Sequence, residues 1–263
     1  VAHKRALAVF LVVTLDRVGI THQHHGGGVV GLAECAHHGN DLRQADAHAR
    51  GKTSKGEVQI QIIRPTWKRE LTMRMWSKGT DYSMIYVVSP AKDRGTVFLK
   101  RGKEVWNWIP SIERSIKLPP SMMSQSWMGT DFTNDDLVKE SSAVNDYTHV
   151  FGGTDTLLNR ACRIINMTPK PESAVVWGKV MVWIDERDLM ELKMEFYDED
   201  GMLSSVITTT EVGLMAGRML PVTMEMAPID KKGQKTVMSY RNLVLDDPIE
   251  DSFFSTANMK TIR

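Results

Sequence analysis

From Val58 onward the feature that most constrains this chain is an alternation of apolar and polar residues with a period of two. That period puts successive side chains on opposite faces of an extended strand, whereas a helix needs apolar residues every three or four positions. Val58, Ile60 and Ile62 alternate with Gln59 and Gln61 until Pro65 closes the segment, and Leu71, Met73 and Met75 alternate with Thr72 and Arg74. Further strands are expected over 82–88, 96–100, 104–109 and 112–118, with Arg101 and Gly102 at a tight turn. Alternation resumes over 147–151, 161–167 and 175–184. Met190, Leu192, Met194 and Phe196 are then expected to face one way while Glu191, Lys193, Glu195 and Tyr197 face the other. Asp200–Gly201 and Lys232–Gly233 are the turns that link strands over 202–212, 220–226 and 235–244. Short turns between consecutive strands imply antiparallel pairing. The expected fold is therefore mainly β. Strands in this number are too many for a small flat sheet, which should curl into an open or closed barrel or fold into a sandwich.

Three segments break the period. Residues 21–39 are rich in Gly and His without periodicity and read as leader or disordered chain. Leu42, Ala45, Ala47 and Ala49 favour a short helix, with Gly51 where a left-handed cap would end it. Residues 121–142 form helical or looped cover: Met122, Met123 and Trp127 share a helical face, and Thr133 followed by Asp136 resembles a helix start. These two pieces are the expected plug or lid of the curved sheet. At the beginning of the chain His3, Lys4 and Arg5 precede an apolar run from 6 to 15, the order of a secretory signal. The run is shorter than the roughly 20 residues a spanning helix requires, so no stable transmembrane anchor is expected. The organisation read from this is a leader or disordered segment over 1–39 and one binding domain over 40–263.

Composition narrows the function. The 33 basic and 32 acidic residues leave a formal net charge of +1, which draws the chain neither to nucleic acid nor to an anionic membrane. Cys35 and Cys162 make no disulfide framework, and Glu34 immediately before Cys35 argues against lipid attachment there. The sequence holds no G-x-S-x-G, H-E-x-x-H or P-loop run, so no enzyme activity and no cofactor are expected. His22, His24, His25, His37 and His38 lie in the aperiodic leader, without the fixed geometry a metal site needs. Asp131, Asp135, Asp136 and Glu140 read as helix capping more than as an acid–base pair. Trp106 and Trp108 share one face of a strand, as ligand anchors or as core. Seventeen methionines are the sharpest signal, because Met is flexible and polarizable and suits surfaces that adapt to varied apolar partners. Met73, Met75, Met190, Met194, Met224 and Met226 all fall on the apolar phase of their strands, which ordinary core packing explains equally well.

The runs RPTWKRELTMRMWSKG at 64–79, SPAKDRGTVFLKRGKEVWNWIPSIERSIKLPPSMM at 89–123 and SWMGTDFTNDDLVKES at 126–141 resemble the outer membrane lipoprotein-sorting protein family, a LolA-like group. NDLRQADAHARG at 40–51 is similar to the helix that precedes the first strand in that family. The resemblance implies a curved antiparallel sheet forming an incomplete, half-open β-barrel over a few short helices, LolA/LolB-like. It also implies a periplasmic carrier or chaperone in a Gram-negative envelope, with a hydrophobic cavity for the acyl chains of a lipid or lipoprotein. Members of this branch are associated with hydrophobe exporters, which makes an inner-membrane exporter the implied partner. The residues expected to line the cavity are Met73, Met75, Met122, Met123, Trp127, Met128, Met190, Leu192, Met194, Phe196, Met224 and Met226. The alternative is a non-enzymatic accessory subunit or sensor of an exporter that uses the sheet as an interaction scaffold.

Overall fold

The computed structural model describes residues 42, 44, 45, 47–102, 104–123, 125–134, 146–171, 173, 175 and 177–262. Helix α1, described at residues 42, 44, 45 and 47–50, leads into six strands: β1 (Thr53–Arg64), β2 (Trp67–Lys78), β3 (Tyr82–Ser89), β4 (Val97–Arg101), β5 (Glu104–Ile109) and β6 (Arg114–Lys117). A crossover containing the single turn of helix α2 (Pro120–Met123) follows. Seven more strands complete the sheet: β7 (Tyr147–Leu157), β8 (Arg160–Pro169), β9 (Lys179–Asp185), β10 (Glu191–Tyr197), β11 (Leu203–Met215), β12 (Arg218–Pro228) and β13 (Lys235–Leu245). All thirteen strands belong to one sheet in the order β6-β5-β4-β3-β2-β1-β13-β12-β11-β10-β9-β8-β7. The thirteen strands correspond one for one to the segments read from periodicity.

This order is two meanders sewn together by the β1–β13 pair, which is antiparallel from Ser54↔Leu245 to Ile63↔Lys235. β6 and β7 are the two edges, so the sheet curves without closing, and the chain between them must travel from one edge to the other. Bulges assist the curl, because an extra residue on one strand bends it and raises its twist. They fall at Lys55/Glu57, Thr72/Met73, Phe151/Gly153 and Thr209/Glu211.

Antiparallel connectivity gives the sheet two ends. At the helix end, β1 begins and α1 docks: Arg218 Nη1 donates to the His48 carbonyl at 2.8 Å, and Asp246 accepts from the Lys52 amide at 2.6 Å. Gly51 adopts φ +65°, the left-handed cap expected from sequence, and a Cβ there would lie 2.7 Å from Asp246 Oδ1. At the crossover end, β1 finishes, β7 begins and the loop at 125–134 reaches its tip. That loop is a compact hairpin, with the Trp127 amide bonded to the Phe132 carbonyl at 2.8 Å and Ser126 bridged to Thr133.

The convex face has its own cover. After β13 the tail turns back, and Phe254, Met259 and Ile262 pack on Met84, Tyr86, Val97 and Leu99 of β3 and β4. Phe254 stacks on Tyr82 at 5.4 Å and Phe253 meets Trp76 at 5.5 Å. Trp106 and Trp108 share this face and are partly buried against the tail. Among the described residues no helix is long and apolar enough to cross a membrane.

Candidate functional site

The concave face is a continuous apolar interior to which β1–β4 and β7–β13 all contribute. Alternation puts Val58, Ile60 and Ile62 of β1, Leu71, Met73 and Met75 of β2, and Ile85 and Val87 of β3 on this side. Val180, Val182 and Ile184 of β9, Met194 and Phe196 of β10, Met224 and Met226 of β12 and Met238 of β13 face them. Leu42 and Ala45 of α1 enter from the helix end, and Trp127 and Phe132 of the crossover loop enter from the other. Two short pieces thus fill an interior that a sheet of this span cannot fill with its own side chains.

The crossover loop is held by a buried ion pair. Arg64 Nη1 donates to Asp131 Oδ2 at 3.1 Å, Thr236 Oγ1 donates to the same oxygen at 2.7 Å, and the Asp131 amide donates back to Thr236 at 3.0 Å. Arg64 also donates to the carbonyls of Ile63, Gly129 and Lys235. Asp131, read from sequence as part of a helix cap, is instead the anchor of the loop tip to β1 and β13. Asp135, Asp136 and Glu140 lie outside the described residues, as do the five histidines of the leader and Cys35. Among the described residues no group of three or more His, Cys, Asp or Glu is arranged to hold a metal ion.

Of the residues expected to line the site, Met73, Met75, Trp127, Met194, Phe196, Met224 and Met226 fall in the one interior cluster, and Met128 packs against it. Met190 and Leu192 do not join them. The register shifts between Glu191 and Lys193, so the simple alternation from Met190 to Phe196 fails and the first two pack with Cys162 and Trp183 instead. Met122 and Met123 pack against a separate pair, Val105 and Leu118. Burial pushes the Cys162 thiol pKa up, and its sulfur sits 3.4 Å from the Arg160 carbonyl.

Periodicity did not reveal the polar atoms inside this apolar face. Trp127 Nε1, Tyr147 OH, Trp177 Nε1 and Ser205 Oγ are buried without a hydrogen-bond partner, on side chains 1%, 2%, 2% and 1% exposed. Trp127 meets the Phe98 ring edge-on at 5.6 Å, and Trp177 lies against Phe196 at 5.4 Å. Burial, then the charge of Asp146, raises the Tyr147 phenol pKa, so the group stays a neutral donor. Trp177 precedes β9 at Gly178, where a Cβ would come within 2.3 Å of the Asp198 carbonyl oxygen; the close approach admits only glycine.

Two clefts lie elsewhere. One of about 460 Å³, between the tail and β4–β6, is lined by Arg101, Glu104, Trp106, Ser115 and Lys260 among others. The second, about 440 Å³, is at the helix end around Arg160, which pairs with Asp185 at 2.9 Å and Asp188 at 2.6 Å. Both are open to solvent and bounded by charged side chains, unlike the concave interior.

A family model described as "Uncharacterized protein" matches residues 79–261. No curated protein matches the chain. Among solved structures, a DUF1329 family protein from Desulfovibrio piger is 20% identical, covers 86% of this chain and 99% of its own, and superposes with a TM-score of 0.76. A Vibrio parahaemolyticus domain named for outer membrane lipoprotein sorting is 19% identical over 86% of this chain and 99% of its own, with a TM-score of 0.73. A LolA superfamily protein from Nitrosomonas europaea is 22% identical over 84% of this chain and 98% of its own, with a TM-score of 0.68. At these identities the likeness is one of fold: an open, curved antiparallel sheet of the LolA type.

Proposed function

Because the chain belongs to the family whose model spans residues 79–261 and folds as LolA-type structures do, we propose that it is a periplasmic carrier or chaperone that shelters acyl chains against its concave face. The observation that carries this reading is the makeup of the interior. A continuous apolar surface across eleven strands, with methionines among its side chains, is filled from its two ends, among the described residues, only by the short helix α1 and the short crossover loop, pieces small enough for a cargo to displace. Met73, Met75, Met194, Met224 and Met226 can change rotamer at little cost to accept a chain. Trp127, Met128 and Phe132, carried on the crossover loop, are the groups a cargo would replace. About ten buried methylenes contribute roughly 8 kcal/mol, which equals the net free energy of micromolar binding before any association cost is met. Longer or paired chains supply the surplus. The likeness in fold to a domain named for lipoprotein sorting supports a lipid or lipoprotein cargo.

Titration with a fluorescent fatty acid, together with organic extraction and mass spectrometry of protein purified from an envelope fraction, tests this. Saturable uptake and a recovered acyl lipid are expected; neither being found overturns the proposal.

The scaffold reading has an observation in its favour. Edge strand β7 presents Val150 at 57% and Phe151 at 48% exposure, and an edge strand is a template for a partner strand. Phe151→Asp should abolish capture of an exporter subunit while leaving acyl binding intact if that reading holds.

A further inference from the structure

On the concave side of the β7–β11 half, three buried polar atoms without a hydrogen-bond partner, Tyr147 OH, Trp177 Nε1 and Ser205 Oγ, lie toward the crossover end. Ser205 pairs in register with Phe196, and Phe196 with Val180. Ser205, Ile207 and Thr209 are the buried positions of β11, and Ile207 belongs to the interior cluster, so Ser205 faces inward. Trp177 packs against the Phe196 ring and Ser205 pairs with Phe196 in register, so both neighbour one aromatic side chain. On the other flank Tyr147 pairs with Pro169, and Met167 with Val180; Pro169 is therefore level with Gly178, the neighbour of Trp177. Adjacent strands are about 4.8 Å apart, so Tyr147 and Trp177 start two strands from each other and project large rings into the same concavity.

Buried polar groups are nearly always paired, because a lone one forfeits its hydration with nothing in return. Three such groups on one otherwise apolar face call for a common explanation. An indole N–H is only a donor, and a phenol kept neutral donates best; Ser205 adds a hydroxyl that donates as well. The complement of these groups is an acceptor. The neighbours Met167, Val180, Phe196 and Ile207 are apolar, an environment that accepts a neutral carbonyl far more readily than a carboxylate.

Resting on the carrier reading above, we propose that Tyr147, Trp177 and Ser205 form a head-group site that takes the acyl carbonyl oxygens of the bound lipid, fixing its depth and orientation in the sheet.

The test uses the full chain and three fluorescent probes of equal length: an acyl methyl ester, the free fatty acid, and an alkyl probe with no carbonyl. Tyr147→Phe and Ser205→Ala keep the shape of the site, and their ligand-free melting temperatures, equal to or above that of the wild type, certify the fold. Each is expected to weaken ester binding about threefold to tenfold, the double variant more, with alkyl binding unchanged. The free acid binding more weakly than the ester identifies the neutral carbonyl as the ligand. Tighter binding of the acid would overturn that assignment. Ester binding equal to wild type in the double variant overturns the head-group site while leaving the carrier reading intact. No binding of any probe by the wild type overturns both.

Discussion

Asp131→Ala isolates the contact on which the closure of the interior depends. The Asp131 and Arg64 side chains are 6% and 11% exposed, and one carboxylate oxygen serves both Arg64 and Thr236. Removing one partner of a buried ion pair costs about 3–5 kcal/mol, because the remaining charge is left without its counter-ion. Arg64 retains three backbone carbonyls, which places the expected loss near the lower bound, about 3 kcal/mol. Asp131→Asn keeps an acceptor of the same shape and forfeits mainly the charge-assisted part, about 1 kcal/mol. Replacing both partners, Arg64→Met with Asp131→Leu, should be milder than Asp131→Ala, since no charge remains buried. Urea unfolding followed by tryptophan fluorescence gives each value, with an unchanged denaturant slope as the check that the unfolded state is the same. Hydrogen exchange at residues 125–134 should rise in Asp131→Ala before global unfolding does. A loss below about 1 kcal/mol with unaltered exchange in the loop would refute the role of this pair as the anchor.

Phe254→Ala should cost about 3–5 kcal/mol, because the ring is fully buried against Tyr82 on the outer face of the sheet; a change under 1 kcal/mol in the same urea assay would mean the tail is dispensable. Gly178→Ala should yield little soluble protein, since its Cβ overlaps the Asp198 carbonyl; wild-type yield and melting temperature would show that the β9–β10 end yields easily. The Asp246 pKa is held below its ordinary value by the Lys52 amide and also by Arg218. A carboxylate depressed in the folded state stabilises fully above its unfolded pKa, near 3.8, and that contribution disappears as pH falls through the lower folded value. Stability of the wild type should therefore exceed that of Asp246→Asn at pH 6 and converge with it in strong acid. A difference independent of pH would exclude the linkage.

Much of this fold is legible in period two, for a physical reason. A half-buried strand cannot shift by one residue without turning its apolar side to water, so Val58, Ile60, Ile62 and Met73, Met75 declare both strand and face. Gly51 and Gly201, at φ +65° and +76°, likewise mark turns that require left-handed backbone. What alternation conceals is whatever breaks or overlays it. The bulge after Glu191 parts Met190 and Leu192 from Met194 and Phe196, and a bulge leaves no trace in an apolar–polar string. The tail at 251–262 covers the convex face through contacts remote in sequence, so Trp106 and Trp108 read equally as anchors or as core. Asp131 is an ion-pair partner only because the crossover returns to β1 and β13. Tyr147, Trp177 and Ser205 were indistinguishable from ordinary strand residues, because a missing hydrogen-bond partner is a property of three dimensions alone.

Photolabelling locates an acyl chain on the protein. A palmitoyl probe with a diazirine near its methyl end, bound to the full chain, irradiated and digested, reports by mass spectrometry which residues the chain touches. Labels on the concave face are expected, within Met73–Met75, Trp127–Met128, Met194–Phe196 and Met224–Met226, and excess unlabelled fatty acid should suppress them. Labels confined to the outer face around Trp106 and Trp108, or to the Val150–Phe151 edge, would contradict an interior that shelters acyl chains.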